Sequence, residues 1–175
     1  LYLYPRLINP HTLGEQALGR ARCGYIVRNA DRGDLDQVFL VELESFDSPY
    51  PRWYFDILYE LSNSGEYFLV SVDERGRIDG YVVAIPRKGG VCHIVSIAVR
   101  RDCRRHYVGS ILLQSLFELC DETRPRLYIL EVDIRNMGAQ ALYSKHGFGY
   151  AGLIPNYYGD GRHALIMIRT PLWKC

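Results

Sequence analysis

From Cys23 onward the apolar residues fall into regular periods, and the stretch before it does not. Residues 1–22 (LYLYPRLINPHTLGEQALGRAR) hold neither a period of two nor one of 3.6. They are expected to form an extension outside the main fold, docked in part through Leu1, Tyr2, Leu3 and Tyr4. Residues 24–28 read as a short strand. Asp34 is placed to cap a helix in which Leu35, Val38, Phe39 and Leu43 make one apolar stripe. The run Phe46-Asp-Ser-Pro-Tyr-Pro51 ends that helix, because each proline excludes the helical conformation from the residue before it. A second short helix is expected over 52–61. Residues 67–72 and 78–85 read as strands joined by a turn at Asp73-Glu-Arg-Gly76, and 91–99 as a third strand after Lys88-Gly-Gly90.

Further on, Val108, Ile111, Leu112, Leu116 and Leu119 recur at helical spacing and predict a helix over 108–120. Residues 126–132 are apolar without alternation, which predicts a strand buried on both faces. Ala139, Leu142 and Tyr143 share one side of a helix over 136–146, and 147–153 with 162–169 read as a closing strand pair. The strand–helix–strand stretch 91–132 implies a right-handed parallel crossover. The expected class is α+β: a mixed, mostly antiparallel sheet with one central parallel strand pair. The expected organisation is an extension, 1–22, and one domain, 23–175.

Composition narrows the functions more than the fold. A chain of 175 residues with 48% apolar and 23% charged residues has what one ordinary core needs. A net charge of +1 argues against a nucleic-acid binder that works by general attraction to phosphate. No apolar run approaches the ~20 residues that span a bilayer, so no membrane role is expected. The five cysteines (Cys23, Cys92, Cys103, Cys120, Cys175) are widely spaced with no C-x-x-C, so neither a metal site nor a dithiol redox centre is expected. A cytoplasmic protein with reduced thiols is the default. Arginine outnumbers lysine 18 to 3, and tyrosine is abundant at 14. Tyrosines in such number suit a groove lined with polar-tipped rings, although many simply pack.

The most informative stretch runs from Ser96-Ile-Ala-Val99 through Arg100-Arg-Asp-Cys-Arg-Arg-His106 to Tyr107-Val-Gly-Ser110. A strand enters a basic turn that opens a helix, where free backbone N–H groups and the positive dipole end attract phosphate oxygens. A solvated basic loop over an ordinary crossover would read the same.

Here the sequence resembles the GNAT superfamily of N-acetyltransferases, which marks its acetyl-coenzyme A site with Arg/Gln-x-x-Gly-x-Gly/Ala. The matching residues are Arg104-Arg-His-Tyr107-Val-Gly109 and then Ser110. Tyr107 stands where the first glycine is usual; glycine lets the backbone approach a pyrophosphate closely. Either Tyr107 is already helical and its side chain points away, or cofactor affinity suffers. Tyr128-Ile-Leu-Glu131-Val-Asp-Ile-Arg-Asn136, Ala141-Leu-Tyr143-Ser-Lys-His-Gly147-Phe148 and Asn156-Tyr157-Tyr158 extend the resemblance over about 24–170. Within the superfamily these are similar to the N-terminal-amine acetyltransferases, including the ribosomal-protein-alanine type and archaeal relatives. The resemblance implies a GNAT-like sheet flanked by about four helices and acetyl-CoA as co-substrate without a metal. It implies protein or peptide N-termini as acceptors, ribosomal proteins among them.

It also implies roles. The main chain of Ile97, Ala98 and Val99 would grip pantetheine and the acetyl carbonyl, where fixed N–H donors stabilise developing charge. The turn Arg104, Arg105, His106, Tyr107, Val108, Gly109 and Ser110 would hold the pyrophosphate. Asn136 would bond the pantetheine arm, and is equally a good N-cap. Glu131, a carboxylate inside an apolar run, would help deprotonate the amine; its alternative is a salt bridge at a strand end. His93 would be a second base or a structural histidine, imidazole being the side chain that takes and gives a proton near neutral pH. Tyr143 would protonate the departing thiolate, or else pack. Phe46, Pro49 and Tyr50 would cup the first acceptor side chain while Tyr157 and Tyr158 bond its backbone, unless both loops only stabilise the fold. Other readings of the same fold are a lysine or small-amine acetyltransferase and a non-catalytic acetyl-CoA sensor.

Overall fold

A computed structural model describes residues 26–62, 65–121, 123–159 and 161–171. The expected extension 1–22 lies outside the described residues, as do Cys23, residues 24–25 of the first expected strand, Asp160 and Cys175.

The chain lays down β1 (Ile26–Asn29), α1 (Leu35–Ser45), α2 (Arg52–Leu61), β2 (Phe68–Val72), β3 (Ile78–Arg87) and β4 (Val91–Val99). Then follow α3 (Val108–Asp121), β5 (Leu127–Asp133), α4 (Met137–Lys145), β6 (Gly149–Ile154) and β7 (Ala164–Arg169). The seven strands form one sheet in the order β1-β2-β3-β4-β5-β7-β6. Every neighbouring pair is antiparallel except β4 and β5, the pair flanking the α3 crossover. The last strand slips between β5 and β6, so the closing pair is joined to the sheet through β7. This is the mixed, mostly antiparallel α+β architecture that the periodicity implies. No helix among the described residues is long and apolar enough to cross a membrane.

Two cores lie on opposite faces of the sheet. One joins α3 and α4 to it through residues such as Leu112, Leu116, Tyr128, Leu130 and Tyr143. The other joins α1 and α2 through Leu35, Val38, Phe55, Leu58 and Tyr81. Helix α3 reaches β3 over Gly80, where an added Cβ would stand 2.9 Å from the Ala98 carbonyl oxygen and 3.1 Å from Leu112 Cδ1.

Three local readings need correction. The chain turns into α1 through a short 3-10 segment, Arg32–Asp34. Asp34 occupies the N-cap position of α1 but makes no side-chain capping bond; its carboxylate instead takes the Asp31 backbone N–H at 2.8 Å and the Arg28 guanidinium at 2.6 and 2.9 Å. The buried stripe of α1 is Leu35, Val38, Val41 and Glu42, whereas Leu43 is 46% exposed. Finally, β5 is not buried on both faces: Tyr128, Leu130 and Val132 enter the core and Ile129, Glu131 and Asp133 alternate with them, only partly covered. Apolar Leu127 and Ile129 on the open face disguise that alternation.

Candidate active site

The sheet opens at its parallel pair. The β4–β5 register runs only from Val91–Leu127 through Cys92–Tyr128 to His93–Ile129. Beyond it, residues 94–97 of β4 and 130–133 of β5 line a cleft of about 790 Å³. A bulge in β4 accompanies the parting. Val83 pairs with Ser96 and Ala84 with Ile94, leaving Val95 as the extra residue. The bulge reverses which side chains face which core. Cys92 and Ile94 belong to the α3 side, and past Val95 it is Ile97 and Val99 that pack there while Ala98 joins the α1 side. Strand β4 thus leaves β5 with its backbone edge turned to the cleft, and nothing in the period-two pattern of residues 91–99 signals it.

Glu131 stands on the cleft wall at the throat of this opening. His93, on the last paired rung, holds it: His93 Nε2 lies 2.8 Å from Glu131 Oε2. His93 itself is off the cleft wall. The two candidate bases are therefore arranged in series, with the carboxylate foremost.

Tyr143 reaches the wall from α4 while its ring packs on Phe148, centroids 5.9 Å apart, so it is both core and cleft residue. Burial pushes its hydroxyl well above the ordinary tyrosine range and keeps it protonated. Asn136 also lines the cleft, and its Oδ1 accepts the Ala139 N–H at 3.0 Å, capping α4.

Two loops frame the mouth. From the α1–α2 loop come Phe46 and Tyr50, and from the β6–β7 loop Tyr157 and Tyr158; Pro49 is off the wall. Tyr157 and Tyr158 stack edge to face at 4.8 Å, and Arg162 lies 5.5 Å over the Tyr158 ring. Arg162 is bonded to Asp133 at 3.1 and 3.0 Å, tying that loop to the end of β5. Burial, with Tyr157 and Tyr54 nearby, pushes Tyr50 up to about 12.

Along the basic turn the structure divides the expected residues. Ile97 and Arg104 are on the cleft wall; Ala98, Val99, Arg105, His106, Tyr107, Val108, Gly109 and Ser110 are not. Ala98 and Val108 are buried, and Arg105, His106 and Tyr107 are exposed. Arg104 Nε folds back to the Val99 carbonyl at 3.0 Å. Tyr107 is not helical. It takes a left-handed φ of 63° one residue before α3, as Arg105 does at 64°. Its side chain is 60% exposed and lies under Lys145 Nζ, 5.2 Å from the ring centroid. A tyrosine therefore holds here a backbone conformation that glycine adopts without strain. Gly109 serves packing: an added Cβ would stand 3.1 Å from Leu142 Cδ2, where α3 meets α4.

The residue that the sequence reading missed is Glu42, buried on α1 yet lining the cleft. Its signal was available, since Glu42 follows Val38 by four residues on the apolar stripe.

Residues 35–148 match the Acetyltransferase (GNAT) family, and the chain belongs to that family. It is similar to a Bacillus subtilis protein provisionally named a [ribosomal protein bS18]-alanine N-acetyltransferase, with 38% identity over 144 residues, 81% of this chain and 92% of that one. It is also similar to the N-alpha-acetyltransferase of Sulfolobus acidocaldarius, with 32% identity over 163 residues, 85% of this chain and 94% of that one. In structure it resembles Ard1 from Thermoplasma volcanium, with a TM-score of 0.79 and 28% identity, covering 84% of this chain and 97% of that one.

Proposed function

We propose that this N-acetyltransferase uses acetyl-CoA and acetylates the N-terminal amine of proteins, ribosomal proteins among them, by direct attack. The observation that carries the reading is Glu131 at the throat, beneath a mouth framed by the 46–50 loop and the Tyr157–Tyr158 pair. An extended peptide end fits between two such loops, its first amine reaching inward. The names of the relatives from Sulfolobus acidocaldarius and Bacillus subtilis agree with this acceptor class.

The residues present suit acetyl-CoA. The open stretch of β4 beyond the last rung suits an extended amide-bearing arm. The first-turn amides of α3 have no partners within the helix, and Arg104, Arg105 and His106 add positive charge for a pyrophosphate. When bound, acetyl-CoA supplies the acyl thioester. Glu131 accepts the proton of the acceptor ammonium, and His93 Nε2 keeps the carboxylate aimed at it. Asn136 and the backbone of Ile97–Val99 orient the arm. Tyr143, held protonated by burial, keeps at its hydroxyl the proton that a leaving thiolate needs.

The energetics favour an α-amine. An N-terminal amine titrates near ~7.7–8.0 and lysine near ~10.4, so deprotonating lysine costs roughly 3.5 kcal/mol more. A single carboxylate backed by histidine meets the smaller demand. The test is acetyl transfer over a library of peptides differing in their first two residues, beside N-blocked peptides carrying lysine. Acetylation of free N-termini is expected. Modification confined to lysine side chains would overturn the acceptor class, and acetyl-CoA binding without turnover would make the chain a sensor.

A further inference from the structure

Glu42 is 1% exposed and takes no part in the chemistry proposed above. One carboxylate oxygen accepts the Tyr50 backbone N–H at 2.9 Å. The other accepts the Tyr81 hydroxyl. That hydroxyl also lies within hydrogen-bond distance of Ser96 Oγ, at 2.8 Å. The chain therefore runs from the α1–α2 loop through α1 and β3 to β4, meeting β4 at the residue just past the Val95 bulge. Tyr81 is fully buried, held edge-on by Phe55 at 5.8 Å and against Phe68 at 5.9 Å, so its hydroxyl has little freedom.

A buried carboxylate is seldom the most stable filling for an apolar stripe, since a well-packed hydrophobe of similar volume does as well or better. What the carboxylate adds is geometry. The Tyr50 N–H belongs to the loop at the cleft mouth, and Ser96 belongs to the strand that turns its open edge to the cleft. We infer that Glu42, through Tyr81 and Ser96, is a positioning residue that fixes the acceptor loop at a set distance from β4 and so sets how the acceptor amine approaches. The inference rests on the reading of residues 46–50 as the acceptor loop.

The test compares Glu42→Ala, Glu42→Gln and Tyr81→Phe in the full chain by steady-state kinetics and by hydrogen exchange of the Tyr50 amide without acceptor. Glu42→Ala is expected to raise the acceptor-peptide KM about tenfold, the scale of one lost hydrogen bond, with kcat and the acetyl-CoA KM within about threefold. The Tyr50 amide should exchange faster in the same variant. Glu42→Gln should restore both, because its amide oxygen still accepts the Tyr50 N–H. Should Glu42→Ala not fold, Tyr81→Phe cuts the tie to the sheet alone and is expected to raise the acceptor KM about threefold. An acceptor KM unmoved in the folded variants overturns the inference, as does a matching rise in the acetyl-CoA KM. A collapse of kcat in Glu42→Gln overturns it in favour of a base. The acceptor reading fails separately, if the wild type leaves every free N-terminus unmodified.

Discussion

Tyr107 combines a bulky side chain with a left-handed backbone, φ 63°, that costs an L-residue roughly 1–2 kcal/mol. Nothing buried compensates, since the ring is exposed and its contact with Lys145 is worth only about 0.5–1 kcal/mol. Tyr107→Gly is therefore expected to match or exceed wild-type stability by up to about 1 kcal/mol and to lower the acetyl-CoA KM severalfold. Urea unfolding and steady-state kinetics check both; a raised acetyl-CoA KM would show that the ring itself contributes to binding. At the throat, Glu131→Gln should cut kcat about 100-fold with little change in either KM, whereas His93→Ala, acting through Glu131, should cut it about tenfold. Equal losses in the two variants would mean that His93 is itself the base. Legibility at this scale depended on the surroundings of each residue. Glu131 stood out as a charge in an apolar strand, but its bond to His93, 38 positions away, needs the strand register to be seen. Glu42 carries the same signal, a charge at helical spacing on an apolar stripe, but its bonds to Tyr50 and Tyr81 need the packed fold to be seen.

Element boundaries were legible where period and breaker agreed. Helix α2 follows Pro51 over Arg52–Leu61, and β4 spans Val91–Val99, both as the sequence implies. The facing of elements was less legible, because a strand edge lining a cleft carries the same apolar residues as one lining a core. The acidic end of β5 shows what that facing secures. Asp133 bonds Arg135 beside it and Arg162 from the β6–β7 loop, and these partners, Arg135 first, hold its carboxyl near about 2. The unfolded chain titrates near ~3.9, so the pairing contributes its full stability above about pH 4 and loses it as pH falls toward about 2. Asp133→Asn should be less stable than wild type at pH 6, with the difference narrowing between about pH 4 and 2 in urea unfolding. A difference that stayed constant over that range would assign the effect to packing. The same variant should raise the acceptor KM if the Tyr157–Tyr158 loop needs its anchor.

Across the whole molecule, the two halves of the sheet are joined at its centre by a parallel register of three residue pairs, and the cleft begins where those pairs stop. The α3–α4 core bridges the halves on one face, whereas on the other face α1 and α2 pack over β2–β4. The sequence showed that a parallel pair existed and where; it could not show that the pair parts, because the parting depends on a one-residue bulge against β3. A ligand lying between β4 and β5 would bind only the folded arrangement and would supply the hydrogen bonding that the parted strands lack. At about 100 times its dissociation constant, such a ligand stabilises the fold by ~2.7 kcal/mol. For a chain of this size that corresponds to a rise in Tm of roughly 5–11 °C. Thermal unfolding with saturating coenzyme A should show the rise, together with slowed hydrogen exchange in residues 94–99 and in the first turn of α3. A Tm that rose without protection in β4 would place the ligand elsewhere, and an unchanged Tm at saturation would remove the parted strands as the binding site.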